Sequence, residues 1–241
     1  MGYLIKSKDD IILDGIPALS VGLVCDIPPV PPMAQQRYTS WTSGGDTPSS
    51  VPDDVYGTIN YTVTARVIKK PYGFDNSDIY AFLHGKKILQ ISRLVGKHFR
   101  IQRINAITPV SNYKANEITY KITFVLDPWK YYDDNDELIV PQSGIITNPG
   151  TRYSKPIFRA TLTEQAGSVL TCNGVGLTIF DTGAITVDSE RMIVYKTVSG
   201  VNTAITQKTV GMLPMLSPGQ NLVQLSVGQE TLSCIGNWRD Y

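Results

Sequence analysis

Two stretches of strict two-residue alternation constrain this chain more than anything else in it. In residues 57–68, GTINYTVTARVI, the side chains of Ile59, Tyr61, Val63, Ala65 and Val67 fall on one side. Asn60, Thr62, Thr64 and Arg66 fall on the other. In residues 117–127, EITYKITFVLD, Ile118, Tyr120, Ile122, Phe124 and Leu126 oppose Thr119, Lys121 and Thr123. A period of two is the pattern of a strand with one buried and one wet face; wound into a helix, the same residues would spread apolar groups around the whole circumference. Composition agrees: only 18% of the residues are charged, while Thr, Ser, Tyr, Val and Ile are abundant, which suits strands.

The same logic extends along the chain. Leu19, Val21, Leu23, Cys25 and Ile27 alternate and predict a strand, preceded by a hairpin turn at Asp14-Gly15. Further strands are predicted at 87–93 and 98–107. The one predicted helix covers 78–84, DIYAFLH, where Ile79, Phe82 and Leu83 form an apolar stripe; Asn76 or Ser77 caps it and Gly85 stops it. Residues 127–158 read as a seam, with an acidic patch and prolines at 128, 141 and 149, since proline cannot continue a central ladder. Beyond it come short strands at 156–163, 169–172, 177–180, 184–188, 192–197, 221–227 and 231–234, with turns at Asn173-Gly174 and Thr182-Gly183. Many short strands at this spacing predict a sandwich. The expected organisation is mainly β: an N-terminal domain over 1–140, a linker over 141–152 and a C-terminal sandwich over 153–241.

Residues 28–56 differ in character. Pro28, Pro29, Pro31 and Pro32 enforce extended backbone, and Ser43-Gly44-Gly45-Asp46 is a turn. The stretch predicts a projecting arm, a hairpin with Gly44-Gly45 at its tip. Arg37, Tyr38 and Trp41 are amphipathic residues of the kind that anchor interfaces, and they are the candidate inter-subunit contacts.

Signals for chemistry are sparse. Cys25, Cys172 and Cys234 are odd in number and lack a C-x-x-C spacing, and Cys25 and Cys172 fall in apolar strand patterns, so they read as small buried thiols. His84 and His98 are the only histidines, and no G-x-S-x-G, H-E-x-x-H or P-loop accompanies them. The acidic run Asp133, Asp134, Asp136 and Glu137 fails the calcium-loop pattern, because Leu138 stands where the loop needs glycine. No catalytic, cofactor or metal site is expected. A net charge of +1 supplies no general basic field for holding nucleic acid. No secretory leader and no membrane-spanning run is expected.

Three features resemble one family, the distal tail proteins of long-tailed, non-contractile bacteriophages. The first is the order strand, short helix ending in AFLHGKK, strand, strand, then EITYKITFVLDPWKY, closing on Asp127-Pro128-Trp129-Lys130-Tyr131. The second is YSKPIFRATLTEQAGSVLTCNG followed by GAITVDSERMIVY, and the third is LPMLSPGQNLVQLS with the terminal GNWRDY. The resemblance implies an N-terminal β-sandwich-type domain with one helix and a belt arm, followed by a galectin-like β-sandwich. It implies a hexameric ring at the distal end of the phage tail, joining the tail tube protein to tail-tip or baseplate proteins. Viral DNA would pass through the central channel without specific binding, and the protein would reside in the virion after assembly in the host cytoplasm. Galectins bind sugar with a histidine, asparagine and arginine set, and the C-terminal half here has no histidine, so that site is not carried over. The alternative reading is a carbohydrate-binding module for host cell-wall polysaccharide, built on the second sandwich.

Overall fold

The computed structural model describes residues 10–26, 30–41, 49–68, 76–110, 117–141, 144–163, 167–226 and 229–241. The chain forms two compact units, one reaching to Tyr131 together with Tyr241, the other spanning Tyr132–Asp240.

The first unit is built on one sheet. Its strands are β1 (Ile11–Leu13), β2 (Ile16–Pro17), β3 (Leu23–Cys25), β6 (Ile59–Ile68), β7 (Ile88–Ile91), β8 (Lys97–Val110) and β9 (Glu117–Tyr132), and between β3 and β6 lie β4 (Gln36–Trp41) and β5 (Ser49–Tyr56). The sheet order is β2-β1-β7-β8-β9-β6-β3, with β4 and β5 forming a separate two-stranded sheet. The two alternating stretches are partners: β6 and β9 run antiparallel from Ile59 opposite Leu126 to Ile68 opposite Glu117. Opposed residues share a face, so Tyr61, Val63 and Ala65 join Tyr120, Ile122 and Phe124 in one core. Helix α1 (Asn76–Leu83) lays Ile79, Phe82 and Leu83 into that core, and the chain leaves it through Gly85 at φ +70°, a left-handed exit that a side chain would strain.

Two sequence expectations change here. The alternation 19–27 is not one strand. Residues Ala18–Val21 form a 3-10 turn closed by Gly22 at φ +82°, and only Leu23–Cys25 is strand. A side-chain bond explains the switch: the Asp10 carboxylate accepts the N–H groups of both Ile11 and Leu19, offering the backbone a partner that a ladder would otherwise supply. Pro128, expected to break its strand, lies inside β9. The β6 ladder has already ended at Leu126, so on that side the missing N–H leaves no gap.

The second unit is a sandwich of two sheets over one core. Its strands are β10 (Glu137–Ile139), β11 (Ile145–Asn148), β12 (Ile157–Leu162), β13 (Ser168–Cys172), β14 (Val175–Ile179), β15 (Gly183–Asp188), β16 (Ile193–Val198), β17 (Val201–Ala204), β18 (Thr209–Gly211), β19 (Gly219–Leu225) and β20 (Gln229–Ile235). One sheet has the order β10-β20-β12-β15-β16-β17 and the other β11-β19-β13-β14-β18. Phe158, Leu162, Ile185 and Val187 from the first meet Leu170, Leu177, Ile179 and Val223 from the second. Asn173 and Gly174, at φ +50° and +81°, supply the two left-handed residues of a tight hairpin between β13 and β14. The division at Tyr131–Tyr132 lies upstream of the boundary expected at 140. The stretch expected as a linker, 141–152, contributes β11, whose Ile146 and Asn148 are buried and which pairs with β19. Pro141 and Pro149 therefore bracket a strand instead of marking free chain.

Candidate functional site

The predicted arm is a hairpin standing apart from the main sheet of its unit. β4 and β5 pair antiparallel with Gln36 opposite Tyr56 and Trp41 opposite Ser49, and the register shifts between Gln36 and Tyr38 where β5 carries two extra residues. The Gly57 N–H donates to the Gln35 carbonyl at 3.0 Å and closes the neck. The tip expected at Gly44-Gly45 lies outside the described residues. The three candidate contacts all stand on β4. Arg37 is exposed, Tyr38 is 58% exposed, and Trp41 is the last described residue of the strand.

Sequence reasoning missed what fixes the base of the arm. Tyr56, at the end of β5, meets Trp129 of β9 with ring centroids 4.7 Å apart and Tyr241 at 5.9 Å; Trp129 and Tyr241 are 6.0 Å apart. Each of these pairs, two tilted and one edge-on, adds about 0.5–1.5 kcal/mol beyond the area it buries. The hairpin thus springs from a rigid aromatic seat. The signal was present in the sequence as the Asp-Pro-Trp-Lys-Tyr segment, but nothing local says that its tryptophan meets a residue about seventy positions upstream.

A groove of about 910 Å³ opens in the same unit, beside the end of α1 and along β8. Its apolar lining includes Leu83, Ile88, Ile101, Ile104 and Ile107, and Lys86, Lys87 and Arg103 carry positive charge around it. Asp127 also lines it, but this carboxylate is engaged: it accepts Gln102 Nε2 at 2.8 Å and the Tyr131 hydroxyl at 3.3 Å. The Arg100 guanidinium lies 3.8 Å above the Tyr131 ring, and His98 stacks against that ring at 5.8 Å. His98 thus serves as a flat aromatic in a stack.

The remaining candidates for chemistry also take structural places. All three cysteines are free and buried, and burial pushes Cys25 and Cys234 up to about 12 and Cys172 up to about 11. At neutral pH they are thiols, not thiolates, so they are poor nucleophiles. Cys172 Sγ donates to the Met215 carbonyl. In the acidic run, Glu137 pairs with Arg159 at 2.5 Å and accepts the Ser233 hydroxyl. Among the described residues no cluster of His, Cys, Asp and Glu is arranged to hold a metal ion, and no helix is long and apolar enough to cross a membrane.

Comparison with solved structures matches the chain to the crystal structure of the Dit protein of phage SPP1, with a TM-score of 0.66 at 14% sequence identity. The match covers 94% of this chain and 98% of that one. The chain has the fold of a phage distal tail protein. The SPP1 protein is described as a paradigm of the hub adsorption apparatus of phages that infect Gram-positive bacteria. No family model matches the sequence, and no curated protein matches it. The likeness is therefore one of fold, at low sequence identity, over nearly the whole of both chains.

Proposed function

We propose that this protein is a structural component of a phage tail: a hub at the distal end of the tube that joins it to the tail-tip or baseplate proteins. The observation that carries this reading is the coverage of the Dit match, which extends over nearly all of both chains. The hairpin arm adds the means of assembly. In the proposed arrangement six copies close into a ring, the arm of each crosses to the next copy, and the DNA leaves through the central opening. A ring is a heterologous interface closed by rotation, and a projecting arm adds buried area while fixing the angle between copies. The role is architectural and non-catalytic, with the virion as its location. The domains divide the labour: the first unit, with its arm, closes the ring, and the second is a galectin-like sandwich turned to other tail proteins.

The arm gives the test. Deleting residues 30–54 is expected to convert a ring-sized species into monomers in sedimentation and to abolish rings with a central hole in electron micrographs, while circular dichroism still reports folded β structure. Rings of unchanged size and stability after the deletion would remove the arm from the assembly mechanism. A full-length protein that stays monomeric at high concentration would remove the ring itself.

A further inference from the structure

The outer face of one sheet of the second unit carries a recess of about 440 Å³, within the size range of small-ligand sites. Strand alternation fixes which side chains stand on it. β12 sends Phe158 and Leu162 into the core and Arg159 and Thr161 outward; β15 sends Ile185 and Val187 inward and Ala184 and Thr186 outward. Register then sets the outward residues in two rows. Ser233, Arg159, Thr186 and Tyr195 lie side by side across β20, β12, β15 and β16. Thr161, Ala184, Thr197 and Asn202 form the next row, across β12, β15, β16 and β17. Small side chains, Ala184 and Thr186, occupy the middle strand β15, and longer ones, Arg159 and Tyr195, flank it, which hollows the face. Neighbouring strands lie about 4.8 Å apart, so each row is about 14 Å long.

Several of these side chains are held in place by one another. Glu137 of β10 pairs with Arg159 Nη1 and accepts the Ser233 hydroxyl, and the Thr197 hydroxyl donates to Asn202 Oδ1 at 2.8 Å. A ligand therefore meets groups whose ordering is partly complete, which lowers the cost of binding. The groups on offer are hydroxyls, a carboxamide and a guanidinium with five N–H donors in one plane. Tyr195 adds a ring that is apolar on its faces and polar at its tip. This set matches a polyhydroxylated ring: adjacent hydroxyls meet planar donors and acceptors, and the C–H faces pack on the aromatic. The charge of Arg159 is matched by Glu137, so an anion arriving there also meets a carboxylate, which selects for a neutral ligand. We propose that this recess binds a neutral oligosaccharide chain, laid along the row from Ser233 to Tyr195. The site is separate from the hub role and does not depend on the arm.

Saturation-transfer NMR on the full-length protein tests it, with millimolar neutral oligosaccharides built from glucose, galactose or N-acetylhexosamine units and with poly(glycerol phosphate) as the anionic control. Transfer to at least one neutral chain is expected, and none to the polyanion. Calorimetric titration of the chain that binds then reads the site. Tyr195→Ala and Arg159→Lys, which loses the planar fork and keeps the charge, should each raise Kd about tenfold. Gln224→Ala, on the other sheet, should leave Kd unchanged. Tyr195→Phe removes only the polar tip, so a smaller rise keeps the test open where Tyr195→Ala folds poorly. Absence of transfer to every neutral chain, transfer to the polyanion alone, or a Kd that neither Arg159→Lys nor the Tyr195 variants alter overturns the proposal. Sedimentation of the same variants is expected to be unchanged, so failure of the glycan site leaves the hub reading standing, and failure of the hub reading leaves the titration valid.

Discussion

The two units differ in where they keep their polar side chains. The buried polar and charged residues among those described are Asn148, Ser154, Ser168, Thr186, Asp188, Ser189, Asn221, Asn237, Arg239 and Asp240, and all of them belong to the second unit. Several stitch its loops. Asn221 accepts from Asn173 Nδ2 at 2.8 Å and from the Ser217 N–H at 2.7 Å, and donates to the carbonyls of Ser217 and Gly219. Asn148 donates to the carbonyls of Arg152 and Leu216 and accepts the Gly150 N–H. The Asp240 carboxylate accepts from the Thr151 N–H, and Asp188 accepts the N–H groups of Glu190 and Arg191. The first unit has an apolar core and places its clamps near the rim: Asp14, whose carboxylate accepts the Ile88 N–H at 2.8 Å, holds β1 to β7 in an exposed setting. The second unit thus ties several of its loops together inside, although the buried hydroxyls of Ser154, Ser168 and Ser189 find no hydrogen-bond partner among the described residues.

The strongest way to break this comparison is to empty each core in turn. Phe158 is 1% exposed in the second unit and Phe124 fully buried in the first. Truncating either to Ala should cost about 3–5 kcal/mol, the transfer of a ring plus the cavity it leaves. In calorimetry of the arm-deleted protein, Phe158→Ala is expected to lower one transition and Phe124→Ala the other. If both substitutions shift a single shared transition equally, neither unit is a separate folding body and the comparison loses its basis.

A smaller effect sharpens the role of the internal polar clamps. Asn221→Ala leaves the Asn173 amide and the Ser217 N–H without their acceptor inside a closed unit, where each orphaned group costs about 1–3 kcal/mol. Thr62→Ala in the first unit breaks a hydroxyl pair with Thr123 that is exposed, and water replaces it. Its cost should stay within about 0.5 kcal/mol, as for most surface changes. Urea melts of the two variants should separate clearly; equal midpoints would mean that the buried asparagine contributes no more than a surface threonine.

How much of this was legible in the sequence follows the range of the forces involved. The alternations at 59–67 and 118–126 named their own faces, and the structure pairs those faces directly, because a two-residue period is local information. The helix and its glycine stop were legible for the same reason. The 3-10 turn at Ala18–Val21 was not, since its cause is a carboxylate nine residues away from Leu19. Nor was β11, because bracketing prolines read as free chain until the partner strand β19 is known. β4 and β5 fall in the stretch whose prolines and turn residues predicted an arm, but the seat of Tyr56 on Trp129 and Tyr241 depends on contacts far apart in the chain.

The smallest expected effect concerns a surface clamp of the second unit and its pH dependence. Asp181 accepts Lys208 Nζ at 2.7 Å, its neighbour Thr182 through the backbone N–H at 2.8 Å, and Lys196 Nζ at 3.1 Å. These bonds, that from Lys208 foremost, hold its carboxyl down at about 2, below the ordinary 3.8. The folded state thus binds this proton less readily than the unfolded chain, and the stabilisation is fully present above the unfolded value and disappears as pH falls through about 4 towards 2. Asp181→Asn keeps the shape and removes the charge, so it should lower the melting temperature of the second unit at pH 7 by a few degrees, an amount set by an ion pair shared between two lysines near the surface. The difference from the natural residue should shrink through pH 4 and close near pH 2, and salt should weaken it because Lys208 is half exposed. A difference that stays constant from pH 7 to pH 2 would assign the effect to the geometry of the Thr182 bond instead of to charge, and the second unit's surface would then be no more dependent on ion pairing than the first.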